Sequence, residues 1–205
     1  MNQQDQLREE NSKLKKKLRG LVEDYKSLTR INKELKDNIF IDDNTQLYNN
    51  RYLNIRLDEE MKRAKRYTQF LSIVFISVDS LIEELKKAGI ETVIEKLRRF
   101  GNFIKANMRD TDIISQIKPG ILALILPETN IEGANCLSER LKEQILLAYS
   151  DSDNKNPKHE KALSIGIASY PTDARMIEEL LHKGAEMHER SQNSDSNIIC
   201  SSLSV

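Results

Sequence analysis

The stretch Asp112–Leu126 constrains the fold more than any other. It reads as two short apolar strands on either side of Lys118-Pro119-Gly120. Proline presets one turn dihedral and glycine accepts the positive one, so a tight turn is expected there. The second strand, Ile121-Leu122-Ala123-Leu124-Ile125-Leu126, is apolar almost throughout. That pattern suits the centre of a sheet covered on both faces. A hairpin of this kind belongs at the middle of a mixed α/β domain.

The flanking segments supply the layers. An amphipathic helix is expected from about Asn50 to Tyr67, with Leu53, Leu57, Met61 and Ala64 on one face. Leu71–Val78 is an apolar, β-branched strand. Leu81–Lys87 reads as a short helix, and a longer one follows Gly89 with Ile90, Val93, Ile94, Leu97, Ile104 and Met108 inward. After the hairpin, Thr129 and Glu132 have the spacing of a capping box for a helix that turns Ile131, Ala134, Leu137, Leu141, Ile145 and Ala148 to the core. Ser150–Glu160 is a polar loop. Leu163–Ala168 is a strand with one bulky face and one small face that lets a neighbour pack close. A last helix spans about Met176 to Glu189, and the tail from Ser191 reads as polar and frayed. One sheet with helices against it buries a core in roughly 160 residues.

A different pattern precedes this domain. Leucines recur at Leu7, Leu14, Leu21, Leu28 and Leu35, an unbroken seven-residue repeat. With these at position d, position a holds Asn11, Leu18, Tyr25, Asn32 and Ile39. Such a seam winds two helices around each other, and asparagine at a favours parallel, in-register dimers. Glu10 at g and Lys15 at the following e attract across a parallel pair. The alternative is a lone solvated helix. Gly20, mid-helix, costs about 1 kcal/mol of local helix stability. Asp42-Asp43-Asn44-Thr45-Gln46 ends the repeat with turn-forming residues. The expected organisation is a coiled-coil helix over 1–41, a folded domain over 42–197 and a flexible tail over 198–205.

Composition narrows the function. Lysine plus arginine and aspartate plus glutamate are both 32, so the formal net charge is zero. That balance argues against a general nucleic-acid or membrane-surface binder. Cys136 and Cys200 are far apart with no metal-like spacing. No disulfide framework and a cytoplasmic location are therefore expected. The N-terminus is polar, so no signal peptide is expected, and no apolar run is long enough to insert in a bilayer. His159, His182 and His188 show no metal spacing and read as loop or surface residues.

Several stretches resemble the GGDEF, or diguanylate cyclase, family. Leu47-Tyr48-Asn49-Asn50-Arg51-Tyr52-Leu53 resembles its opening LYNRRYL motif, and Leu71–Asp79 its LSLLLIDID strand. Leu126-Pro127-Glu128-Thr129 and Leu163–Pro171 resemble its LPET and SIGIASYP segments. The resemblance covers roughly Asp42 to Asn197. It implies a palm-like α+β fold, similar to nucleotide cyclases, with a central, mostly antiparallel sheet flanked by helices.

The resemblance also implies what the chain lacks. Family members join two GTP molecules into cyclic di-GMP with divalent metal, which needs hard oxygen ligands. The first ligand position falls on Ser77. The GGDEF turn falls on Lys118, Pro119, Gly120, Ile121 and Leu122, with Ile121 in place of the key glutamate. The guanine-recognition positions fall on Leu85 and Ile94, which would leave the polar edge of the base unpaired. The last helix's phosphate-contacting lysine falls on Gln192, and the aspartate of its motif on Ala185. Asp79 survives, either as a lone weak metal ligand or as a cap for the short helix near Leu81.

One ligand feature persists in the resemblance. Arg109-Asp110-Thr111-Asp112 matches the family's inhibitory RxxD motif, with five residues between Asp112 and Lys118. Arg140 falls where the family has a second arginine that helps hold cyclic di-GMP. Arginine presents a planar fork to phosphate and stacks on guanine, while a carboxylate accepts from the guanine edge. The alternative is a solvated Arg109 at a helix end and an Asp112 that merely starts a strand. The expectation is a non-catalytic regulatory or scaffolding protein with no cofactor. It would be homodimeric through the coiled coil, would contact a protein partner, and would take cyclic di-GMP at Arg109, Asp112 and Arg140. The rival expectation is a residual diguanylate cyclase that makes cyclic di-GMP from GTP.

Overall fold

The computed structural model describes residues 13–29, 40–150, 163–194 and 199–204. The chain divides into two compact units, Met1–Phe40 and Ile41–Val205. In the first, residues 13–29 form helix α1. Leu14, Leu18, Leu21, Tyr25 and Leu28 all stand exposed on it, Leu21 at 61%. The other heptad positions, Leu7, Asn11, Asn32, Leu35 and Ile39, lie outside the described residues, as do Glu10 and His159.

The second unit is a six-stranded mixed sheet in the order β1-β3-β4-β2-β5-β6. In chain order it runs β1 (Tyr48–Asn49), α2 (Asn50–Tyr67), β2 (Leu71–Val78), α3 (Asp79–Ala88), α4 (Ile90–Ala106), β3 (Ile113–Lys118), β4 (Ile121–Pro127), α5 (Ile131–Ser150), β5 (Leu163–Tyr170), α6 (Ile177–Gln192) and β6 (Ile199–Cys200). The β3–β4 hairpin and the β2 pairings to β4 and β5 are antiparallel, while the two short edge strands pair in parallel. The hairpin therefore sits inside the sheet, as its apolar sequence requires. Pro119 and Gly120 close it, and Gly120 takes φ +83°, open to glycine at little cost.

The period of two in each strand sorts its side chains onto two faces. Val74, Ile76, Val78, Leu122, Leu124 and Leu126 face α4 and α5, which contribute Val93, Leu97, Phe100, Ile104, Leu141 and Ile145. Leu71, Ile73, Phe75, Ala123 and Ile125 face the other way, toward Leu53, Leu57, Met61 and Ala64 of α2 and Leu180 of α6. The small face of β5 does admit close packing. A Cβ at Gly166 would lie 2.0 Å from the His188 amide nitrogen and 2.7 Å from the Gly184 carbonyl oxygen. Only glycine lets α6 approach this far.

Three expectations need correction. Residues 199–204, within the expected tail over 198–205, are not free: Ile199 and Cys200 pair with Ile165 and Gly166, Ser201 is buried against Asn135, and residues 202–204 form a 3-10 turn. Two apolar residues are too short a run to signal a strand, and β5 supplies the pairing partner. The polar Ser191 is buried too, because its hydroxyl accepts from the Ile165 amide at 3.0 Å. Helix α5 is capped by Asn130, whose Oδ1 accepts from the Gly133 amide at 3.0 Å, while Thr129 Oγ1 donates back to the Pro127 carbonyl.

Candidate functional site

The two ends of the β3–β4 hairpin carry the two sets of candidate residues. At the turn end, Ser77 of β2 lies between Ile121 of β4 and Ser164 of β5 in the sheet register. It is fully buried, and its Oγ makes a 2.9 Å hydrogen bond with His188 Nε2. His188 is thus a buried core residue, contrary to its reading as a surface histidine. Four residues after Gly184, it faces the strand that Gly166 leaves open. Asp79 opens α3, and Val78 occupies the cap position. The carboxylate accepts from Ser164 Oγ at 3.1 and 3.0 Å through its two oxygens. In the first turn it also suits the positive end of the helix dipole.

None of the other turn-end residues carries a carboxylate. Leu85 packs, partly buried, against the larger core. It also presses on the hairpin turn: a Cβ at Gly120 would lie 3.0 Å from Ile82 Cγ1 and 3.3 Å from Leu85 Cδ1. Ile94, Ile121 and Gln192 are half-buried, Leu122 is buried, and Lys118, Pro119 and Ala185 are exposed. A divalent cation wants several oxygen ligands, carboxylates first. The donor set here is a serine already bonded to histidine, an isoleucine, a nearby lysine and one carboxylate, Asp79, which is engaged by Ser164. These residues do not fit such an ion.

At the opposite end, the structure brings Arg109, Asp112 and Arg140 to one cavity of about 730 Å3. Arg109 and Asp112 form a closed turn between α4 and β3. The Arg109 amide donates to Asp112 Oδ2 at 2.9 Å, and the Asp112 amide donates to the Arg109 carbonyl at 3.0 Å. Arg140, on α5, is steadied by donating from Nη2 to the Asn107 carbonyl at 2.9 Å. Burial pushes the Asp112 carboxyl above its ordinary value, and the Arg109 amide and the charges of Arg109 and Arg140 offset part of that rise. The cavity therefore offers two guanidinium groups for phosphate and one carboxylate for a base edge.

The sequence did not point to Asn107 or Gln144, which line the same cavity. Gln144 sits one helical turn beyond Arg140, so the spacing that places two residues on one helix face was the available signal. Asn107 acts through its carbonyl, which no side-chain pattern reveals.

The GGDEF family model, described as the diguanylate cyclase GGDEF domain, matches residues 39–197. This chain belongs to the GGDEF family. It is 29% identical over 157 residues to the bifunctional diguanylate cyclase/cyclic di-GMP phosphodiesterase MucR of Pseudomonas aeruginosa, covering 76% of this chain and 22% of MucR. It is 28% identical over 122 residues to the uncharacterized membrane protein YdaK of Bacillus subtilis, covering 58% of this chain and 42% of YdaK. The chain thus spans less than half the length of either relative. Among solved structures, the coiled coil and GGDEF domain of DgcB from Caulobacter crescentus, in complex with c-di-GMP, superposes with a TM-score of 0.75 at 14% identity, covering 91% of this chain and 98% of that one. The diguanylate cyclase SiaD of Pseudomonas aeruginosa, in complex with its activator SiaC, gives 0.66 at 19% identity, covering 96% and 80%. At these identities the structural likeness speaks for the fold. Among the described residues, no helix of this GGDEF protein is long and apolar enough to cross a membrane.

Proposed function

We propose that this GGDEF protein binds cyclic di-GMP without making it, and that it acts as a regulatory or scaffolding component through protein contacts. The observation that carries the reading is the convergence of Arg109, Asp112 and Arg140 on one cavity. At the other end of the hairpin, Ser77 and Ile121 occupy positions where the family's catalysis needs carboxylates, and Lys118 would repel a cation there. Phosphoryl transfer depends on metal to neutralise developing charge, and a buried serine bonded to His188 offers no replacement. In the proposed complex, Arg109 and Arg140 engage phosphate and guanine faces, and Asp112 accepts from a guanine edge.

The heptad leucines support a parallel homodimer. Leu14, Leu21 and Leu28 are exposed on α1, a face that a second copy would cover. SiaD, bound to an activator protein, gives a precedent within the fold for protein contact as the means of control.

Titration calorimetry of the purified chain with cyclic di-GMP tests the receptor reading. Saturable heat that disappears in Arg109→Ala is expected. A flat trace at high micromolar ligand removes it. Conversion of GTP and magnesium to cyclic di-GMP by the same preparation, lost on changing Asp79, would establish the rival cyclase reading instead.

A further inference from the structure

We propose that the segment 41–48, which leads into the domain, reads the occupancy of the Arg109–Asp112–Arg140 cavity, with Leu47 as its positioning residue. This rests on the receptor reading above and adds how binding would be sensed. A second cavity, of about 330 Å3, shares the Arg109–Asp112 turn with the larger one. Ile41, Leu47 and Tyr48 form one of its walls. Met108, Arg109 and Asp112 form another, and these three residues also line the larger cavity. The turn is therefore a partition shared by the ligand chamber and the cavity that the lead-in segment lines.

The lead-in segment is built as a single body. Asp42 Oδ1 accepts from the Asn44 amide at 3.2 Å and from the Thr45 amide and hydroxyl at 2.8 Å each. The Asp42 amide donates to the Leu47 carbonyl at 2.8 Å, closing the loop. Gln46 holds φ +61°, a conformation that a non-glycine residue adopts only under such restraint. The body is fixed to α4 at two points. Arg98 Nε donates to the Asn44 carbonyl at 3.2 Å. Leu47 is buried in a notch at Gly101, where a Cβ would lie only 2.6 Å from Leu47 Cδ1. Helix α4 runs on to Ala106, and the next residues, Asn107 and Met108, lead into the partition. An unbroken covalent and packed path thus joins Leu47 to Arg109.

A ligand that draws the Arg109 and Asp112 side chains into the larger cavity changes the wall that Leu47 and Tyr48 face. The coupling is reciprocal: whatever loosens the lead-in segment weakens the ligand by the same factor. Leu47 lies outside the ligand chamber, so its effect on affinity would be indirect.

The test uses the full chain and cyclic di-GMP. Amide hydrogen exchange over residues 41–48 is expected to slow at least about fivefold at saturating ligand, within the usual span of such couplings. Leu47→Ala is expected to weaken binding by at least about fivefold in calorimetry, and Leu47→Met, which keeps the volume, to restore it. Should Leu47→Ala fail to fold, the exchange measurement on the unaltered chain still decides. Binding with unchanged exchange over 41–48 overturns the inference and leaves the receptor reading standing. Absence of binding overturns both.

Discussion

Placing one carboxylate at the turn end tests the proposal that the cleft does not gather metal. Ser77→Asp places a carboxylate at a fully buried position, 2.9 Å or so from where His188 Nε2 now meets the serine hydroxyl. Desolvating a charge costs several kcal/mol, and a hydrogen bond to His188 returns part of it. A net loss of about 3 kcal/mol is expected. For a domain of this size each kcal/mol lowers Tm by roughly 2–4 °C, so a fall of roughly 6–12 °C should appear in thermal denaturation. Magnesium is the discriminating arm. With Ile121 and Lys118 beside it and Asp79 engaged by Ser164, the new aspartate should bind magnesium no tighter than about 10 mM, and 10 mM magnesium would then return only about 0.4 kcal/mol, roughly 1–2 °C. A magnesium-dependent rise in Tm above about 5 °C, or turnover of GTP by the variant, would refute the argument. It would mean that oxygen ligands other than the missing carboxylates already surround Ser77.

Four further outcomes follow from the same structure. Gly166→Ala forces a methyl to within 2.0 Å of the His188 backbone, which cannot rotate aside, so the loss should exceed the usual overpacking cost of about 1–3 kcal/mol in urea unfolding. Because burial raises the Asp112 carboxyl above its usual 3.8, the protonated form persists higher in pH in the free protein. Binding a guanine edge needs the carboxylate, so cyclic di-GMP should bind more tightly as pH rises through that raised value, with proton release in calorimetry across the window, and become pH-independent above it. The same shift makes Asp112 favour the folded state at low pH, a contribution lost as pH climbs through the raised value. Changing Leu21 and Leu28 to polar residues should yield monomers in sedimentation; dimers that persist would place the contact on another surface.

The parts of this structure that could be read in advance share one property: their signal is local and repeated. The strand β2 and the hairpin β3–β4 announce themselves through runs of alternating or continuous apolar residues, and α2 through Leu53, Leu57, Met61 and Ala64. The misses are single residues whose role depends on a distant partner. Ile199 and Cys200 become a strand because β5 has an edge to pair. His188 is buried because Gly166 and Gly184 clear the way and Ser77 offers a hydroxyl. At the candidate site, Arg109, Asp112 and Arg140 were legible through family resemblance, whereas the Asn107 carbonyl that steadies Arg140 carries no side-chain signature.

The hairpin also explains how the two ends can have separate fates. Strand β3 begins directly after Asp112 and ends at Lys118, six residues on. At about 3.3 Å per residue, the partition at Arg109–Asp112 and the turn at Pro119–Gly120 stand roughly 20 Å apart. At that distance the charges are screened from one another by more than a Debye length in physiological salt where they face solvent. Between them lie Ile114, Leu122 and Leu124, buried in the larger core, which transmit no charge and hold both ends rigid. Ser77 and Ile121 place no ion in the sheet at one end, so no metal is needed there for a buried charge to be tolerated, and the packing under Arg109 and Asp112 does not depend on them. A domain of this architecture can therefore vary the residues at its hairpin turn independently of the Arg109 and Arg140 pair at the far end of the same two strands.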